Sequence, residues 1–167
     1  MSYDFYIKEF ESALTKVNKK DFAKQGIKFY TGIVLNSAVL KAYKPEWSGD
    51  PANAVTARSR IFFSIWLHEK TIAQDRLYYN IHALKLRELA GYKITSRNFA
   101  EQFRRQFLKY KKDWPNVLTD FGPLTLMEGW CELNHETIQK NIIELTNNFL
   151  KVSPLIDAVL ASHIVPQ

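Results

Sequence analysis

One cysteine in 167 residues, Cys131, leaves no partner for an intramolecular disulfide, and without a CxxC or Cys/His cluster the usual spacing of a zinc site is missing. A reducing compartment suits such a chain, and a cytoplasmic location is the expectation. Only six glycines and six prolines stand against 46% hydrophobic and 14% aromatic residues, so no segment has the composition of a disordered tract. No apolar run approaches the roughly 18 residues that span a bilayer; the longest is Ile61 to Leu67. The first twenty residues lack the basic, apolar and small-residue zones of a signal peptide. No membrane partner is expected.

Missing motifs narrow the chemistry further. Neither GxGxxG nor GxxxxGK[ST] occurs, so no nucleotide cofactor is expected. His68, His82, His135 and His163 stand at none of the spacings of metal ligands, and no metal is assigned. Cys131 lies in a strand-like run with no identifiable base beside it and reads as a small hydrophobe; Ser64 is no better placed. Glu128 and Glu132 share a strand face, but no second motif makes them an acid–base pair. No catalytic residue is assigned, and whether the chain is an enzyme is left open.

Charge, by contrast, is plentiful and uneven. Nine basic and two acidic residues lie between Lys85 and Lys112, a net +7 that exceeds the +6 of the whole chain. Residues 113–167 carry seven acidic and two basic residues. The molecule is therefore dipolar rather than uniformly basic, and the two segments can neutralise each other where they touch.

The length fits a single domain, 1–167. Tyr3, Tyr6, Ile7, Phe10, Leu14 and Val17 recur at helical spacing. Ile27 to Leu35 and Val39 to Tyr43 read as a hairpin, with Asn36 an alternative cap for a short helix. Lys44 to Ala54 is a loop, and Ile61 to His68 with Leu77 to Leu86 forms a second hairpin. A basic helix, capped at Ser96 or Asn98, runs to about Tyr110 on a stripe of Phe99, Phe103 and Phe107. Val117 to Asp120 and Leu124 to Leu133 read as two more strands, with Gly129 a bulge candidate. Asn134 caps a following helix, and Ser153-Pro154 starts a last one. The expected fold is α+β: an antiparallel sheet of about six strands with an N-terminal helix, a central basic helix and two C-terminal helices packed on it.

Within the second hairpin, setting Glu69 opposite Arg76 places Ile61, Phe63, Ile65 and Leu67 beside Tyr78, Asn80, His82 and Leu84 on the core face. The other face then carries Phe62, Trp66 and Tyr79, grading into Lys85 and Arg87. With both faces apolar, helices on both sides or a homodimer are expected to cover them. The favoured function is a non-catalytic binding or adaptor domain for an anionic partner, nucleic acid among the options, through Trp66, Tyr79, Lys85, Arg87, Arg97, Arg104 and Arg105. The alternatives are a small-ligand protein or enzyme with a pocket at Asn80 and His82, whose polar side chains need partners on an apolar face, and a self-associating structural protein.

Overall fold

Amphipathic spacing does produce a helix at the start: in the computed structural model, which describes residues 2–166, α1 (Asp4–Leu14) buries Tyr6, Phe10 and Ala13. A short α2 (Lys19–Lys24) follows, capped where the Asn18 side chain accepts from Asp21 N–H. β1 (Lys28–Val34) and β2 (Ser37–Tyr43) then pair around Leu35-Asn36. Both turn residues have positive φ, 48° and 61°, as a two-residue hairpin with the right twist requires. Asn36 is thus a turn residue and caps no helix.

β3 (Arg60–Leu67) and β4 (Arg76–Leu84) form the central hairpin, joined by a single turn of helix, α3 (Glu69–Ala73). α4 (Ser96–Phe107) is capped by the Thr95 hydroxyl and buries the Phe99, Phe103 and Phe107 stripe. Burial of each of those rings contributes about 2–3 kcal/mol. β5 (Thr125–Glu132) and α5 (Ile138–Ala161) complete the chain. The sheet is an antiparallel meander in the order β1-β2-β3-β4-β5, and the fold is α+β. One large core lies between one face of the sheet and α1, α4 and α5. No described helix is long and apolar enough to cross a membrane.

Several local expectations change, among them that Asn134 caps a helix: its side chain accepts from Glu136 N–H in the turn before α5, whose N-cap is Thr137. Val117 to Asp120 supplies only an isolated bridge, Leu118 to Glu128: Pro115 has no N–H to pair, and Asn116 at φ 51° turns the chain. The two C-terminal helices are one. Pro154 leaves the Leu150 carbonyl without its i+4 donor; the helix nonetheless continues, with the Pro154 ring exposed and the Ser153 hydroxyl 2.6 Å from Gln25 Oε1 and 3.2 Å from the Leu150 carbonyl. The bulge lies between β4 and β5 at Ile81/His82 rather than at Gly129; His82 opposes Thr125 and Ile81 opposes Met127, so Leu126 is the extra residue.

Gly129 serves a different purpose. It faces Tyr79 across the β4–β5 ladder, and a Cβ there would lie 2.3 Å from the Tyr79 hydroxyl and 2.8 Å from the Pro115 carbonyl, the two groups that hydrogen-bond at 2.7 Å. Gly129→Ala is therefore expected to destabilise the fold by about 1–3 kcal/mol. Urea denaturation measures this, and an unchanged midpoint would contradict the close approach.

Candidate functional site

The register of the central hairpin decides which side chains share a surface. Arg60 opposes Leu84, Phe62 opposes His82, Ser64 opposes Asn80 and Trp66 opposes Tyr78. This is one residue out of step with the Glu69–Arg76 pairing expected from sequence, because α3 takes up the connection and β4 begins at Arg76. The slip exchanges the faces of β4. Leu77, Tyr79, Ile81 and Ala83 join Ile61, Phe63, Ile65 and Leu67 in the core, while Asn80 and His82 move to the opposite face with Phe62 and Trp66. Tyr79 is fully buried and bonded to Pro115, so it leaves the expected aromatic surface.

That second face carries no helix of the main core, and a cleft of about 380 Å³ lies on it. The cross-strand registers run a polar row over its floor: Lys41 on β2 opposes Ser64 on β3, which opposes Asn80 on β4, which opposes Glu128 on β5. The Ser64 hydroxyl donates to Asn80 Oδ1 at 2.6 Å, and Asn80 Nδ2 donates to Glu128 Oε1 at 3.2 Å. Aromatic rows flank it. On one side His82 lies 5.4 Å from Phe62, and on the other Trp66 stacks on Tyr78 at 5.0 Å.

Lys41 is only 5% exposed. Its ammonium lies 4.5 Å from the centre of the Phe62 ring and makes no ion pair or hydrogen bond among the described residues. Burial, with the Arg60 guanidinium as a lesser cause, pulls its pKa down from 10.5 to about 8. Arg60 covers the same ring from 5.2 Å and donates through Nη1 to the Ala57 carbonyl, but its Nε is buried without an acceptor. The Trp66 indole N–H is buried without one as well.

His82 is held from the far side of the bulge. Its Nδ1 lies 3.2 Å from the Leu124 carbonyl, which accepts only from an N–H, and 3.2 Å from the Thr125 hydroxyl. The proton therefore sits on Nδ1 and Nε2 carries the lone pair. Burial lowers the imidazole pKa more than the Leu124 bond raises it, and Lys41 and Arg60 lower it further.

The expected basic residues scatter. Lys85, Arg87 and Arg97 gather with Arg58 around a groove of about 700 Å³ that adjoins the cleft and shares Arg60 and Leu84 with it. Arg104 does not belong there. Its Nε donates to the Leu126 carbonyl at 3.0 Å, and Nη2 lies 2.7–3.1 Å from the carbonyls of Phe121, Gly122 and Thr125. It is a clamp on the turn before β5 and on the start of that strand, and Arg105 lines a separate hollow between α4 and α5. The acidic C-terminal third forms no ion pair with the basic segment among the described residues; its pairs are Lys44–Asp157 and Lys140–Glu144.

Lys41, Arg60 and Glu128 were missed as site residues, although a signal existed. Lys41 is the one charge within Ala38 to Tyr43, Ser64 the one polar residue within Ile61 to Leu67, and Asn80 sits among apolar neighbours on the next strand. Cys131 is half-buried, and burial raises its thiol to about 11, the wrong direction for a nucleophile. No group of three His, Cys, Asp or Glu side chains able to hold a metal occurs among the described residues. Comparison with protein-family models, curated proteins and solved structures found no match for this chain.

The displaced lysine pKa has a consequence for stability. Between about 8 and 10.5 the unfolded chain holds more protons on Lys41 than the folded one, so this residue's contribution to stability rises with pH through that window. Lys41→Met is expected to raise the melting temperature at pH 7 by about 2–4 °C. The advantage should shrink by pH 10. Calorimetry at the two pH values checks this, and a variant less stable than wild type at pH 7 would contradict the unfavourable placement of the charge.

Proposed function

We propose that this protein binds a small amphipathic anion in the cleft on the helix-free face of its sheet. One observation carries the reading: three donors lining the cleft are left unanswered, the Lys41 ammonium, which makes no hydrogen bond or ion pair among the described residues, and the Arg60 Nε and Trp66 indole N–H, which are buried without acceptors. Buried donors without acceptors are costly, and an anionic head near Phe62 answers the Lys41 ammonium and the Arg60 Nε, which share that ring, with the Trp66 indole N–H left for a polar atom further along the ligand. Val39, Phe62, Trp66 and Leu84 offer an apolar seat for the rest of the ligand. A soluble, cytoplasmic protein fits this role, and a homodimer is not needed for it, because one chain supplies every group around the cleft.

A panel of aromatic and medium-chain aliphatic carboxylates, each beside its alcohol analogue, tests the reading by calorimetry and tryptophan fluorescence. At least one acid should bind, its alcohol at least about tenfold more weakly, and Lys41→Met should lose a similar factor, about 1.4 kcal/mol. Failure of the whole panel, or equal binding of acid and alcohol, would sink it.

The adjoining groove favours a second reading, a longer polyanion such as single-stranded nucleic acid, since Arg58, Lys85, Arg87 and Arg97 face it with Glu88 the sole acid. Arg58 is itself paired with Glu88 at 3.3 Å. Here Arg87→Glu with Arg97→Glu should abolish salt-sensitive retention on a polyanion column. Retention equal to wild type would exclude this reading. Arg104→Glu is the wrong probe, because it removes the clamp on four carbonyls and is expected to cost about 2–3 kcal/mol of stability.

A further inference from the structure

We propose that Lys41 is an amine nucleophile that forms an imine with a small aldehyde or ketone carrying an anionic group. The inference rests on the ligand-binding reading above and specifies the ligand's reacting atom. The chain contains its own control three residues away. Lys44, 7% exposed, is buried in the ordinary way, its ammonium 2.6 Å from Asp157 Oδ2. Lys41, slightly more buried, sits on a cleft floor with an aromatic ring beneath it and no carboxylate within ion-pair distance. A lysine kept for structure gains from a counter-ion. A lysine kept for nucleophilic attack needs the opposite: no counter-ion, an apolar surround, a second cation nearby and open space in front of the nitrogen. Phe62, Arg60 and the cleft supply these.

The chemistry balances within the cleft. The neutral amine's lone pair attacks the carbonyl carbon, and the C=O π pair moves to oxygen, which takes up a proton as nitrogen loses one. The carbinolamine then expels its hydroxyl as water while the C=N bond forms, so amine and carbonyl give imine and water with no oxidant or reductant. Of the titratable groups lining the cleft, His82 can carry the protons through its free Nε2, its ring lying 5.4 Å from the Phe62 ring beside which Lys41 sits, whereas Glu128 is three strands from Lys41 and held by Asn80. Arg60, the remaining charged group lining the cleft, is placed to hold the substrate's anion.

Reductive trapping tests this. Wild-type protein is incubated with 4-carboxybenzaldehyde and cyanoborohydride at pH 7.5, and the sites of carboxybenzylation are mapped by peptide mass spectrometry. Of the sixteen lysines, Lys41 should be modified at least about tenfold faster than any other, since each unit of pKa changes the free-amine fraction tenfold. The unreactive 4-carboxybenzyl alcohol should protect it, and Lys41→Arg, checked for folding by circular dichroism, should lose that adduct alone. Adducts spread over surface lysines while the alcohol still perturbs tryptophan fluorescence would overturn the imine and leave ligand binding intact. Scattered adducts together with failure of the whole carboxylate panel would overturn both.

Discussion

The pairing of Ser64 with Asn80 across β3 and β4 is the constraint on which the rest of this molecule depends. Because side chains alternate along a strand, that one register assigns every residue of the central hairpin to a face. It sends Phe63, Ile65, Tyr79 and Ile81 under the helices and lines up Lys41, Ser64, Asn80 and Glu128 on the other side. Ser64 is 4% exposed and Asn80 also 4%, so their mutual hydrogen bond satisfies groups that would be costly unpaired in any other alignment. The connection reinforces it. His68 caps α3 by accepting from the Lys70 and Thr71 N–H groups, and the Thr71 hydroxyl accepts from His68 N–H, which sets where β4 can start.

The two faces of the sheet are held together by different physics. The helix-covered face is apolar, dense with aromatic contacts such as Phe63 stacked on Phe149 at 4.8 Å, and gains from burial alone. The other face is a compromise. Cations lie over Phe62, a hydrogen-bonded polar row crosses the strands, and the Arg60 Nε and Trp66 indole N–H are buried without acceptors. Stability is lost on this face, most plainly at a buried lysine without a counter-ion.

Elements with strong periodicity were legible in the residues: the Phe99, Phe103 and Phe107 stripe, the amphipathic α1 and the strand runs of both hairpins. What a single chain conceals is relational. A five-residue helix in place of an open loop moved the register by one, which turned Asn80 and His82 from supposed core residues into lining of the cleft and put Tyr79 in the core. Arg104 looked like one more exposed cation on a basic helix, because nothing local announces that four carbonyls, of the turn before β5 and of its first two residues, will converge on it. Likewise Ser153-Pro154 has the local chemistry of a helix start, yet the helix runs through with the Pro154 ring turned to the surface.

The attachment of His82 also has a mechanical consequence. Its imidazole is tied to the Leu124 carbonyl and the Thr125 hydroxyl, and the backbone around those residues is gripped by Arg104 from α4. The ring's proton is thus positioned by a helix on the opposite side of the sheet, through a short linkage of guanidinium, bulge and carbonyl. The position of α4 and the orientation of the His82 ring in the cleft are set by the same few carbonyls, those of Leu124, Thr125 and Leu126.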